Sequence, residues 1–237
     1  VYDHHKENMA ALQAEHPGVH EAESEEAAAD AVEALVLAVK PHAVLPLISA
    51  LSEGDRELPL LISIAAAVTL DEMEERACDG TRIVRAMPNT PCMVLSGVIA
   101  YSPGTAVTDE DEEAARRLLS GCGSVFKVEE SRMNAVSAIS GCGPAYMFTA
   151  LDALSDAGVA MGLPRKTALE LAAGTMLGSA LMLEQTGEHP MALRDAVTSP
   201  GGTTIAALNA LDECGFRNAW IQAVKSAVRR AEEMEGN

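Results

Sequence analysis

The residues best suited to chemistry in this chain lie in Ser199-Pro-Gly-Gly-Thr-Thr204. Gly201 and Gly202 allow an exposed backbone turn, and Thr203 begins a helical stretch. The first N–H groups of a helix have no partner within it, and with the helix dipole they form a site for an anion. Ser199 adds a hydroxyl donor, and the amides of Thr203 and Thr204, just after Gly202, complete a cradle suited to a carboxylate. The same run also serves as a plain helix cap in a tight loop. These residues alone leave both readings open.

A second group suits the far half of a dinucleotide site. Val1-Tyr2-Asp3 reads as the end of a strand, and a helix follows it. Residues just after such a strand meet the adenine ribose. Asp3 favours the free 2′-hydroxyl of NAD, whereas His4, His5 and Lys6 favour the 2′-phosphate of NADP; an ordinary polar loop is the third reading. Ala38-Val39-Lys40-Pro41 ends a buried strand, where ligand crevices lie in open α/β sheets. Met87-Pro-Asn-Thr-Pro91 follows a later strand. Its Asn89 and Thr90 suit either a helix cap or a nicotinamide contact, and two prolines stiffen the loop.

The glycine-rich turn that usually opens a dinucleotide fold is missing near the start. Gly121-Cys-Gly123 and Gly141-Cys-Gly143 lie in the wrong context. The chain begins with Val rather than Met, so the expectation is that roughly 30 residues carrying the first strand, glycine loop and first helix are absent. A real truncation is the alternative, and it would remove the pyrophosphate site. Metal chemistry is not indicated: His16, His20, His42 and His189 lack ligand spacing. Five cysteines, with no CxxC, argue against a disulfide framework and fit a reducing cytosol.

The elements that position these residues fall into two groups. Leu35–Val39, Pro59–Ile64, Arg82–Ala86, Gly97–Tyr101 and Ser124–Lys127 are short strand-like runs. Short runs buried on both faces are what a parallel sheet asks for. Helical stretches alternate with them, at about 7–15, 24–31, 44–51, 70–77 and 109–120. The pattern is that of a Rossmann-like, doubly wound α/β sheet. After Lys127 the strands stop, and five helical stretches follow, near 144–161, 164–186, 191–197, 203–214 and 217–234. They are rich in Ala, Leu, Gly and Met, and their apolar surplus suggests a dimer interface. The expected division is a dinucleotide-binding domain over 1–128 and an all-helical substrate-binding and dimerisation domain over 129–237.

Bulk properties exclude other classes. The 237 residues are 48% apolar, which suits a globular chain. No apolar run reaches the roughly 18–20 residues of a membrane span, and the first residues do not read as a signal peptide. A formal charge of −18 disfavours nucleic acid and anionic membranes.

Five segments together resemble the pyrroline-5-carboxylate reductase family: AVKP (Ala38–Pro41), RAMPNTP (Arg85–Pro91), SGCGPAY (Ser140–Tyr146), DAGVAMGLPR (Asp156–Arg165) and VTSPGGTTIAALNALD (Val197–Asp212). The last is the most specific. The resemblance implies a Rossmann domain followed by an interleaving helical domain, in a cytoplasmic homodimer that builds larger rings. It implies hydride transfer from NADPH or NADH to the C=N carbon of Δ1-pyrroline-5-carboxylate, giving L-proline. The substrate carboxylate would then rest on Ser199, Gly202, Thr203 and Thr204. The Thr204 hydroxyl would hydrogen-bond the ring nitrogen as a positioning group, since a hydroxyl is a poor general acid. Glu130 would stabilise the iminium by charge, or is simply a solvated Glu before a helix. Ser137 would touch the nicotinamide amide, or is a packing serine. The cofactor set comprises His5, Lys6, Ser24, Ala38, Val39, Lys40, Pro41, Ala66, Asn89 and Ser137. Ala196 stands where some relatives carry a cofactor-touching Asn, and His5 and Lys6 replace a Ser-rich loop, so cofactor choice does not carry over.

Two rivals remain. A β-hydroxyacid dehydrogenase needs a lysine on the first helix after the domain switch, and Ala145–Leu154 has none. A ketol-acid reductoisomerase needs acidic metal ligands, which Asp152 and Asp156, one helical turn apart, only mimic. A non-catalytic homologue that merely oligomerises is a reading of another class.

Overall fold

The computed structural model describes residues 1–54 and 56–235; the last two residues of the expected second domain lie outside them. The chain divides into two compact units. One comprises Val1–Gly141 with the chain from Val228 on, and the other Cys142–Ala227.

The first unit is built on five strands: β1 (Ala34–Leu37), β2 (Leu60–Ser63), β3 (Ile83–Met87), β4 (Gly97–Pro103) and β5 (Gly123–Lys127). Their order in the sheet is sequential. Strands β1, β2 and β3 are parallel, β4 runs antiparallel to β3, and β5 is parallel to β4. The all-parallel expectation is corrected at β3–β4. Only residues 88–96 join these strands, too few for the crossover of a dozen or more that a parallel pair needs. Val1-Tyr2-Asp3 forms no assigned strand. Its backbone still pairs with a neighbouring segment, through Val1 N to His20 O (2.8 Å) and Ala22 N to Val1 O (2.9 Å).

Helices α1 (Lys6–Glu15), α2 (Glu25–Asp30), α3 (Pro41–Leu51), α4 (Leu70–Glu74), α5 (Asp109–Ser120) and the short α6 (Met133–Val136) accompany the sheet. Strands β2, β3 and β4 are largely buried because both faces of the sheet are covered there. Leu61 and Ile83 join Val44, Ile48 and Met73 in one core. Leu60, Ile62, Val84 and Ile99 join Ala115 and Leu119 in the other. Sequence turns fix the helix starts. Thr69 and Thr108 make reciprocal capping boxes with Glu72 and Asp111, and Ser24 caps α2.

The second unit holds α7 (Gly143–Ala160), α8 (Arg165–Thr186), α9 (Pro190–Ala196), α10 (Thr203–Glu213) and most of α11 (Phe216–Glu235). A Cβ added at Gly158 would lie 2.9 Å from that of Ala168, so α7 and α8 meet through small residues. Arg165 ties them by a hydrogen bond to the buried Ser155 (3.1 Å). Of the 22 residues of α8, only Ala168 and Ala172 are buried, while its Leu171, Leu177 and Met182, and Phe148 on α7, stand more than half exposed. Within a single chain this unit has almost no core of its own.

Candidate active site

In the first unit, parallel pairing puts the carboxyl ends of β1, β2 and β3 on one edge. Three loops leave it. Ala38, Val39 and Lys40 are exposed, Lys40 precedes the first turn of α3, and Pro41 occupies that turn. Ala66 is exposed in the turn after β2. The next residue, Ala67, has φ +57°, a left-handed conformation that costs an L-residue about 1–2 kcal/mol. The small Ala38 and Ala66 leave backbone open at this edge, which fits the close approach of a flat dinucleotide.

The third loop carries Asn89, whose side chain does not serve as the helix cap that is one reading of the sequence: it makes no cap to the 3₁₀ turn Thr90–Val94 that follows. Its Nδ2 donates to the Ser140 carbonyl (3.0 Å), and its Oδ1 accepts from Val98 N–H (2.9 Å). Ser140 belongs to a π turn, Ser137–Gly141; such turns are frequent at functional sites. A Cβ on Gly141 would stand 3.0 Å from Met87 Cε and 3.2 Å from Ser137 Oγ, so this turn packs closely on the Met87 side chain.

At the adenine-ribose position, the Asp3 carboxylate accepts from Asn8 Nδ2 and His5 N–H, both at 2.8 Å. These bonds, Asn8's first, hold its carboxyl below the usual carboxylate range. His5 precedes α1 and Lys6 begins it, both exposed. His4 Nε2 stands 3.1 Å from Glu25. The Ser24 hydroxyl accepts from Ala27 N–H as the cap of α2.

Glu130 has a different setting from the one the sequence suggested. Its Oε1 accepts from Leu70 N–H, at the start of α4, at 2.6 Å, and from Arg85 Nη1 at 2.9 Å. Arg85 lies in β3 and is only 4% exposed. A buried cation needs a compensating charge, and Glu130 supplies it. Sequence reasoning missed Arg85 as a partner. The available signal was a lone arginine inside the apolar run Ile83-Val84-Arg85-Ala86.

In the second unit the Ser199–Thr204 turn has the geometry its residues suggest. Gly201 takes φ +69°, Gly202 N–H donates to the Ser199 carbonyl (3.0 Å), and Gly202 then caps α10 with no side-chain bond. Among the described residues none accepts from the amides of Thr203, Thr204 or Ile205. Ser199 and Thr203 are exposed, and Thr204 is half-buried. His189 caps α9 through Nδ1 to Met191 N–H (3.2 Å), a structural use as expected. Asp156 pairs with Arg165, and no metal-holding cluster occurs among the described residues.

The family model for pyrroline-5-carboxylate reductase dimerisation matches residues 130–234. The pyrroline-5-carboxylate reductase of Escherichia coli is 38% identical over 99% of this chain and 87% of that protein. That of Synechocystis is 44% identical over 87% of this chain and 77% of that protein. The chain belongs to the pyrroline-5-carboxylate reductase family. The reductase structure from Coxiella burnetii superposes with a TM-score of 0.91 at 34% identity, covering 99% of this chain and 87% of that one. The Plasmodium falciparum pyrroline carboxylate reductase, solved with NADP bound, gives 0.85 at 30% identity, covering 99% and 86%. The chain is thus an oxidoreductase with a Rossmann-like sheet and the family's helical dimerisation segment, which decides against the dehydrogenase and non-catalytic rivals.

Proposed function

We infer that this chain reduces Δ1-pyrroline-5-carboxylate to L-proline with NADPH or NADH, as a homodimer that assembles further, in the cytoplasm. The observation that carries the reading is the family's membership joined to an intact Ser199–Thr204 turn whose helix-start amides are open. The five free thiols suit a reducing compartment, and among the described residues no helix is long and apolar enough to cross a membrane.

The substrate carboxylate rests on the Ser199 hydroxyl and on the amides of Thr203 and Thr204, with Gly202 giving the backbone its close approach. Two amides fixed at a helix start act as set dipoles and need no rearrangement when the carboxylate arrives. The Thr204 hydroxyl hydrogen-bonds the ring nitrogen and orients the C=N carbon. When bound, the nicotinamide supplies the hydride. Ala38, Val39, Lys40, Pro41 and Ala66 line its path along the carboxyl edge, and Ser137 takes the carboxamide. Asn89 acts mainly by fixing its loop, because both ends of its amide already have protein partners. His5, Lys6 and Ser24 flank the adenine ribose. We place Glu130 in the framework rather than beside the substrate nitrogen, because its charge already serves Arg85.

The test is oxidation of NADPH and NADH by the full-length protein on pyrroline-5-carboxylate. Turnover with either cofactor is expected, and its absence with both would overturn the reading.

A further inference from the structure

Alternate residues of β3 and its following loop, Arg85, Met87 and Asn89, all touch the segment 130–141. Arg85 reaches Glu130 (2.9 Å), Met87 Cε abuts Gly141, and Asn89 holds the Ser140 carbonyl (3.0 Å). A two-residue period puts Arg85 and Met87 on one face of β3, and the loop that follows brings Asn89 to the same segment. Two of the three contacts grip the π turn that carries Ser137. The third, forty-five residues apart in sequence, joins a buried guanidinium to the residue that opens the segment. The same carboxylate oxygen holds the first amide of α4, whose preceding loop contains Ala66.

We propose that Arg85 and Glu130 are a positioning pair for dinucleotide binding. They set where segment 130–141 lies along β3, and thereby where Ser137 and Ala66 stand at the carboxyl edge. The inference rests on the proposed placing of the cofactor there. Neither residue touches the reacting atoms. The buried cation admits only a register that brings a carboxylate to it, whereas the apolar contact of Met87 tolerates slippage and a single amide hydrogen bond re-forms in shifted geometry.

Glu130→Gln tests it, because the amide keeps the shape and an acceptor for Leu70 N–H but removes the charge. Dissociation constants for NADPH are read by calorimetry on the full-length protein, beside KM for the imino acid and the thermal midpoint. NADPH affinity is expected to fall about tenfold, while KM for pyrroline-5-carboxylate stays within about twofold. In the double variant Glu130→Gln/Asn89→Ala the fold-losses should fail to multiply, as for two grips on one segment. NADPH binding within about twofold of wild type, with only the melting temperature lowered, makes the pair a plain stabiliser and overturns the proposal; so does simple multiplication in the double variant. If Glu130→Gln does not fold, Arg85→Gln, which removes the charge at the other end of the pair, is held to the same outcomes. Failure of the wild-type protein to bind NADPH would instead sink the cofactor reading on which the pair depends.

Discussion

Thr204 sits in the first turn of α10, where no side-chain cap engages the helix start. Replacing it by alanine should lower kcat/KM for pyrroline-5-carboxylate by more than about threefold, which is roughly 0.7 kcal/mol or more of transition-state stabilisation, with NADPH affinity unchanged. A smaller loss in steady-state kinetics would remove the hydroxyl from the site. Ala67 lends itself to the opposite experiment. Its φ of +57° suits glycine, so Ala67→Gly should raise stability by about 0.5–1 kcal/mol in urea unfolding, the relief of strain outweighing the entropy of a freer unfolded chain. A lower midpoint would mean that the turn is not strained. The two residues also mark what the sequence could disclose. The Ser199–Thr204 turn was legible because capping and anion binding are local properties. Ala67 gave no sign of its conformation, and the partnership of Arg85 with Glu130 depends on a tertiary approach that no local pattern encodes.

At the scale of elements, the five strands and ten of the helices were readable from apolar runs, prolines and caps, to within a few residues at each end. Two features were not. The direction of β4 follows from the length of the 88–96 connection, a cue that the apolar pattern does not carry. The π turn 137–141 packs Gly141 against Met87, and periodicity does not separate it from a helix. Helix α5 offers a pH test of local electrostatics. Burial alone would raise the Asp111 carboxyl, but hydrogen bonds from the Thr108 hydroxyl and amide, with the charge of Arg82 (2.7 Å), bring it below the ordinary 3.8. A carboxyl lowered in the folded state adds stability above its unfolded pKa and loses it as pH falls through the folded one. Asp111→Asn should therefore be less stable at neutral pH by about 1–2 kcal/mol. That deficit should close as the pH is taken below 3.8. Thermal midpoints between pH 7 and pH 2.5 measure it, and a deficit that persists at the acid end would assign the loss to packing instead.

For the whole molecule the telling contrast is between the two units. The first buries two cores on the faces of its sheet. The second exposes Phe148 (65%) on α7 and Leu177 (63%) on α8 within the segment that matches the family's dimerisation model. Burying a side chain of that size is worth about 1.5–3 kcal/mol, and a two-fold interface counts each position twice. The helical unit therefore draws much of its stability from a second copy, and its melting temperature should rise with protein concentration, as mass action requires. Sequence composition already pointed this way, since helices of Ala, Leu, Gly and Met with few aromatics have little to bury alone. Leu177→Asp places a charge where that surface needs an apolar contact and should weaken association by several kcal/mol. In sedimentation velocity the wild type is expected as a dimer or larger at micromolar concentration, and the variant as a smaller species with a lower midpoint. An unchanged sedimentation coefficient at every concentration would show that Leu177 faces solvent in the assembly, and would move the interface to the other exposed faces of α7 and α8.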